Sequence, residues 1–584
     1  MWLIDTDTLE LKSFPTHPEG KYAILSHRWG ENEVNFQDWK ARRRIDSSEY
    51  RKIKRFAKKA AQGGFRYAWA DTCCINKESS AELSEAINSM FKLYHDAAEC
   101  YVYLSDLPPT NPPSDEGISN SSTTMEFAAG IEKCRGDLFA KSKWFTRGWT
   151  LQELIAPKKV MFFDSAWKLY GTKHSLGKVI WKRTGVPKAI IEGTKHLRNL
   201  SVACRMSWAA DRQTTVVEDL AYCLLGIFDI HLPLLYGEGR QAAFVRVQEE
   251  ICRKTTDMSL FAWTALPSDH EYSGLFATSP ANFKHSANVT CWPSVLQTDF
   301  DDEIAVTNRG IRLDNISLYI SSQFSVLLEL NCWDRKLRDG GKNLYVSLIQ
   351  GPDNRWVRWR ADKVVCMTDD EFDSLKSLQF DRIFVRPTVD PGTLKSSDLY
   401  DCSILFECLP GITFISAEPS RHWSPTMKGF LPTQDFCGAV HVSAMMDGQK
   451  QEEFLIICHV SRNTCPGKMP DWRKAYKFWT LDEGSPHFDE VKEIIQKKSF
   501  CIKEDYRRMR QIQNILPRGC CWSKTQSQFT EDVSIGNNYE VTVKPIVVRE
   551  QKNGDSWDLV KVHIEVAESS IVMVGHDLID LKIV

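Results

Sequence analysis

Four short apolar runs punctuate the first part of the chain, and helix-forming segments separate them. The runs are YAILS (22–26), RYAWA (66–70), CYVYLS (100–105) and VMFF (160–163). Runs this short and nearly continuous are what strands buried on both faces require. Between the first two, Ile53, Phe56, Ala57 and Ala60 recur at helical spacing, and Gly63-Gly64 supplies a stop. Between the second and third, Leu83, Ile87, Met90, Phe91, Tyr94 and Ala98 form one apolar stripe behind Ser79-x-x-Glu82, a capping-box pattern. Strands alternating with helices pair in parallel through right-handed crossovers, which predicts a doubly wound α/β sheet. Ligands of such sheets bind beyond the carboxyl ends of the strands. Those ends carry Ser26-His27-Arg28-Trp29-Gly30, then Asp71, then Ser105-Asp106.

Further along, the pattern changes twice. Residues 108–124, PPTNPPSDEGISNSSTT, have no apolar period and predict a mobile insertion. From 201 to about 254 the segments VEDLAYCLLGIF and GRQAAFVRVQEEI are amphipathic and predict a helical appendage. From about 266 onward, strand-like runs such as SVLLELNCW, NLYVSLIQG, EFLIICHVS and WDLVKVHIEVAE are divided by Gly, Pro, Asn and Asp. The expected organisation is an α/β domain over 1–185, a helical appendage over 186–265, and a mostly antiparallel, sandwich-like β region over 266–584. No repeat period suggests a propeller or solenoid.

At 584 residues the chain exceeds what one core usually supports. Its net charge of -2 argues against a generally basic nucleic-acid binder, and the basic stretch from Arg42 to Lys59 fits the solvated face of a helix. The opening MWLIDTDTLELKSF carries acids and no apolar run, so no secretory signal is expected, and no window suits a bilayer span. Eighteen scattered cysteines without C-x-x-C spacing point to reduced thiols in a cytoplasmic protein and to no structural metal. There is no P-loop and no G-x-S-x-G elbow. A Cys73 or Cys74 nucleophile with His27 is conceivable, although buried thiols are far commoner than catalytic ones.

The positive signal is a set of residues. Arg28 and Trp29 leave the first strand, Asp71 leaves the second, and Arg147, Trp149 and Glu153 follow the third. An Arg suits a phosphate, a Trp stacks on a flat ring, and a carboxylate holds ribose hydroxyls, which together fit a nucleotide. The alternative is that both Trp are core aromatics and Arg28 pairs with Asp71 or Glu31. Residue types alone favour that structural alternative.

The blocks YAILSHRWGENEVNFQDW, YAWADTCCINKESSAELSEAINSMFKLYHDAAECYVYLSD and WFTRGWTLQELIAPKKVMFF resemble, in order and spacing, the three signature blocks of the fungal heterokaryon-incompatibility (HET) domain. The following SWAADRQTTVVEDLAYCLLGIFDIHLPLLYGEGRQAAFVRVQEEI is similar to the helical segment of the HET-E/HET-D-like group, so the resemblance covers about 1–254. It implies a part in regulated cell death when genetically different fungal cells fuse.

A more distant resemblance is to TIR domains, a flavodoxin-like fold. AILSHRWGE resembles their first strand and loop, and SKWFTRGWTLQEL resembles the segment whose Glu is catalytic in NAD-cleaving members, which places Glu153 at that Glu. The resemblance implies NAD+ as substrate rather than cofactor, with Ser26, His27, Arg28, Trp29, Gly30, Asp71, Arg147 and Trp149 around it. Nicotinamide leaves NAD+ from a cationic pyridinium and needs no general acid, so one carboxylate steadying the ribose is enough. The alternative is a non-catalytic module that self-associates and recruits death effectors. Either way the resemblance implies a homo-oligomer through the HET domain, and a sensor or incompatibility partner for the β-rich region. Three departures stand out: DTCCINKESS lacks the Gly usual after the second TIR strand, His27 replaces an aromatic, and the 108–124 insertion falls before the Glu-bearing helix.

Overall fold

The computed structural model describes residues 1–109 apart from 17, 136–266, 272–291, and a series of segments between 303 and 568. The expected insertion at 108–124 lies outside these, except for its first two residues. The chain opens with an antiparallel hairpin of β1 (Trp2–Asp5) and β2 (Leu11–Ser13). The four apolar runs then become β3 (Tyr22–His27), β4 (Tyr67–Trp69), β5 (Glu99–Tyr103) and β6 (Val160–Phe163). These four pair in parallel in the spatial order β4-β3-β5-β6. The chain therefore reverses its direction of travel across the sheet between β3 and β5, the place where such sheets open a crevice.

The sheet is mixed rather than wholly parallel. β1 pairs antiparallel with β4 at one side, and β7 (Leu169–Thr172) pairs antiparallel with β6 at the other. Both escaped the sequence pattern for a physical reason. β1 has only four residues before a turn, and β7 is an edge strand with no fully buried residue to make an apolar run.

After a short α1 (Phe36–Lys40), helix α2 (Ser48–Gln62) buries Ile53, Phe56, Ala57 and Ala60, as the spacing requires. The Ser47 hydroxyl accepts the Tyr50 N–H at its start, and Gly64 takes φ +84° just past its end. Helix α3 (Ser80–Asp96) starts with the Ser79 hydroxyl accepting the Glu82 N–H. It buries Tyr94 edge-to-face on Trp69 at 5.9 Å, a geometry that contributes about 0.5–1.5 kcal/mol beyond area burial. Helix α4 (Thr150–Ile155) is six residues long and buried throughout.

The expected helical segment is broken into short pieces. They are α5 (Gly177–Thr184), α6 (Lys188–Ile191), α7 (Val202–Ser207), α8 (Asp219–Tyr222), α9 (Leu225–Phe228) and α10 (Arg240–Lys254). Gly226 lets α9 lie directly on α3: a Cβ there would sit 2.1 Å from the Phe91 Cβ and 2.7 Å from the Gln152 Oε1.

The remainder is β-rich, as the runs predict. Strands between 272 and 385 form a nine-stranded sheet, and strands between 404 and 568 form sheets of six and five strands. Pairing is mostly antiparallel, with a parallel contact of Ile404–Cys408 on Asp555–Glu568. One buried core runs without interruption from Leu3 to Val385. Arg358, fully buried in the nine-stranded sheet, stitches that core together. Its guanidinium donates to the Phe261 carbonyl at 3.0 Å and the Trp263 carbonyl at 2.5 Å, and lies 4.0 Å from the Trp263 ring centre. Among the described residues no helix is long and apolar enough to cross a membrane, and the described cysteines are free thiols.

Candidate functional site

At the carboxyl end of β3, Ser26 and His27 are both buried. The Ser26 hydroxyl accepts the indole N–H of Trp144 at 2.8 Å and donates a short hydrogen bond to Oε2 of Glu153. Glu153, on α4, is only 5% exposed. Its other oxygen, Oε1, takes no hydrogen bond from a described residue. Burial, and then the nearby Asp71 carboxylate, push the Glu153 carboxyl up to about 8, against the Ser26 hydrogen bond and the Arg147 and Arg212 charges. Near neutral pH the group is therefore mostly protonated and gains its charge only as pH rises through that value.

Around it lies a ring of charge. Trp29 donates its indole N–H to Oδ2 of Asp71 at 2.7 Å. The Lys77 ammonium is 3.6 Å from the centre of the Trp29 ring, and the Arg147 guanidinium is 4.8 Å from it. Neither cation has a hydrogen bond or ion pair with a described carboxylate. Burial lowers the Lys77 pKa, which Asp71 opposes. Trp149 is buried, and its indole N–H donates to Oδ2 of Asp219 at 3.0 Å. Asp219 also accepts the Tyr236 hydroxyl at 3.0 Å. Glu218, beside it, accepts the N–H groups of Gly237 at 2.9 Å and Gly239 at 3.0 Å, which hold its carboxyl below the usual range. The segments VEDLAY and LYGEG are thus tied to the site through two adjacent acids.

His27 plays a different part from a nucleophile's base. Burial, then the Lys52 charge, lower its pKa, so the ring is neutral between Glu33 at 3.6 Å and Asp71 at 3.9 Å. Glu33 is drawn down to about 2: burial opposes this, but the His27 ring and the Lys52 ammonium at 2.6 Å outweigh it. The Cys73 thiol is buried, contacts the Ala70 carbonyl, and burial raises its pKa well above the ordinary value. A Cys–His nucleophile pair has no basis in this geometry.

The structure brings Ser26, His27, Trp29, Asp71, Arg147, Trp149 and Glu153 into one connected group. Two anticipated residues stand apart. Arg28 is exposed and bonds neither Asp71 nor Glu31 among the described residues. Gly30 is also exposed and offers its N–H to Glu33 at 2.7 Å. Several members were not anticipated: Lys77 from the glycine-free loop, Glu33, Trp144, Arg212 and Asp219. Arg212 is buried and donates to the Arg147 carbonyl at 2.8 Å and the Thr150 hydroxyl at 2.9 Å, so it fixes the approach to α4.

Comparison with known proteins places part of the chain in a described family. Residues 22–153, which begin at β3 and end on Glu153, match the family profile of the heterokaryon incompatibility protein (HET). Residues 242–305 match a domain of unknown function, DUF8212. Over 250 residues the chain is 45% identical to vegetative incompatibility protein HET-E-1 of Podospora anserina, a match that covers 42% of this chain and 17% of that protein. The chain therefore corresponds to less than a fifth of the curated relative's length. No solved structure gives a significant match. Residues 22–153 thus carry a HET domain, and over 250 residues the chain is similar to the HET-E-1 incompatibility protein.

Proposed function

We propose that this protein acts in fungal incompatibility, and that its N-terminal α/β domain is TIR-like and cleaves NAD+ at the nicotinamide–ribose bond. The observation that carries the reading is the position of Glu153. It lies beside the end of β3, one oxygen fixed by Ser26 and the other without a hydrogen bond from a described residue, near two cations that pair with no described carboxylate. The parallel order β4-β3-β5-β6 supports the fold assignment, since it is the flavodoxin-like order with its crevice beside β3. Lys77 and Arg147 suit the pyrophosphate, and ionised Glu153 suits the ribose hydroxyls. The C–N bond breaks with both electrons going to the pyridinium nitrogen, so nicotinamide departs neutral. Glu153 steadies the oxocarbenium-like ribose, and water adds to give ADP-ribose and a proton. Cell death follows from loss of NAD+, and self-association through the HET domain switches the activity on.

The test is direct. Purified full-length protein, concentrated or crowded to force assembly, is incubated with NAD+ and assayed for nicotinamide. Release by the wild type, rising as pH passes through about 8 and lost in Glu153→Gln and Glu153→Ala, is the expected result. No release from folded, oligomeric wild type sinks the enzyme reading. A scaffold reading is favoured by one observation, the depth of Glu153: an acid 5% exposed and hydrogen-bonded to Ser26 also serves as a structural pin. Equal toxicity of wild type and Glu153→Gln in fungal cells decides for the scaffold.

A further inference from the structure

A cleft of about 950 Å³ opens at the far end of α4 from Trp149. Glu153, Trp29 and Arg147 take no part in its lining, so it is separate from the NAD+ site proposed above. Six cationic side chains converge on it: Lys158, Lys173, Lys195, Arg198, Arg205 and Lys254. Only two carboxylates, Glu192 and Asp229, join them. Glu192 is drawn toward Lys188 and His174, each at 3.4 Å and neither in the lining, while Asp229 lies 3.4 Å from Lys254. Lys158, Lys195 and Arg198 have no carboxylate partner among the described residues. In a chain whose net charge is -2, this is a concentrated positive surface.

The cations are held in place from below. Lys173 is buried and donates to the carbonyls of Ile155 at 3.1 Å and Pro157 at 2.9 Å, which caps the carboxyl end of α4. Burial lowers its pKa to about 8. Arg205 donates to the Ile227 carbonyl at 3.2 Å and stacks on Phe228 at 4.6 Å, while its Nε is buried without a partner. Apolar walls come from Phe91, Ile190, Phe228 and Ile251. An adjoining cavity of about 540 Å³ shares Lys195, Arg198 and Thr255, and adds Arg335. Like charges gathered around a concave apolar hollow repel one another, and an anion that fills the hollow removes the penalty. Concave sites with apolar walls and a few convergent polar groups are the usual form of small-molecule sites.

We propose that this cleft binds a nucleotide-sized polyphosphate, a nucleoside di- or triphosphate, with its phosphates on the Lys195–Arg198 side and its flat apolar portion on the Phe91–Phe228 side. The mixed lining selects this class over a bare phosphate, because the aromatic wall offers nothing to an inorganic anion.

Isothermal titration of the full-length protein with ATP, GTP and inorganic tripolyphosphate at physiological salt tests it. The expected result is saturable binding of a nucleoside triphosphate, tighter than tripolyphosphate, and weakened at least about tenfold in Lys195→Glu/Arg198→Glu. The control Lys178→Glu/Lys182→Glu makes the same charge change on α5, outside the lining, and leaves affinity within about twofold. The exposed single change Arg198→Gln keeps the test valid should the double variant misfold, and is expected to weaken binding in the same direction. Absence of binding to all three probes overturns the proposal, and so does an equal loss in the control. Binding only to phosphoinositide vesicles overturns the soluble-nucleotide assignment, and tripolyphosphate binding as tightly as ATP or GTP overturns the role of the aromatic wall.

Discussion

Two glutamates, Glu153 in the α/β region and Glu453 in the last antiparallel sheet, show how differently the two halves use the same side chain. Glu153 is buried, and its carboxyl is pushed up to about 8. Glu453 has a side chain 30% exposed; it is 2.8 Å from the Lys492 ammonium and 2.8 Å from His441 Nε2, and these hold its carboxyl below the usual range. The second arrangement is ordinary surface pairing. The first keeps an acid where water cannot easily compensate its charge, a cost to the fold that stable architecture alone does not require. The difference teaches that the same side chain meets opposite electrostatic conditions in the two halves, and the proposed site is the one where an acid is buried without a described cation beside it at ion-pair distance. Residues 22–153, where the HET profile matches, contain Ser26, His27 and Glu153, all buried, while the β-rich half buries Arg358 on carbonyls as a brace.

The largest expected effect concerns the packing that holds the acid in place. Gly226→Val drives a side chain into Phe91 and is expected to cost about 3 kcal/mol or more, read as a lowered denaturant midpoint. If the midpoint barely moves, the close approach of α9 to α3 is not what fixes Gln152 and α4. Next comes pH. Because the folded pKa of Glu153 lies above its ordinary 4.5, its contribution to stability is full below that value and declines as pH rises through about 8. Glu153→Gln removes the decline, so the variant gains on the wild type by an amount on the order of 3 kcal/mol between pH 5 and pH 9, measured by thermal unfolding. Parallel curves for the two proteins break the comparison at its first member.

Smaller effects sharpen it. Trp149→Phe leaves Asp219 without its indole donor and is expected to cost about 1–2 kcal/mol, checked by chemical denaturation. Glu453→Gln is expected to cost under about 1 kcal/mol because the pair is partly exposed. Its contribution has the opposite pH dependence: present above the ordinary carboxylate pKa and lost as pH falls through the lowered one. A cost for Glu453→Gln equal to that of Trp149→Phe erases the contrast between the halves.

What was legible in the sequence follows from range. The strands β3 to β6 and helices α2 and α3 were legible because burial on both faces, or on one stripe, writes itself into neighbouring residues. The hairpin β1–β2 and the edge strand β7 were not, since their partners supply what their own short sequences lack. At the site, Ser26, Trp29, Asp71, Arg147, Trp149 and Glu153 were visible at the ends of legible elements. Lys77 and Asp219 were not. Their roles come from a ring 48 residues before Lys77 and an indole 70 residues before Asp219, and no local pattern encodes such meetings. Arg28 shows the converse: a residue type suited to phosphate, in the right segment, yet exposed.

The grip of Arg358 on Phe261 and Trp263 has a practical consequence for anyone dissecting the protein. A fragment cut at 265 keeps both carbonyls and the Trp263 ring but discards the guanidinium that covers them, and opens the core shared with the nine-stranded sheet. A fragment meant to keep that core whole therefore runs at least to Val385, well past the end of the recognisable signature blocks.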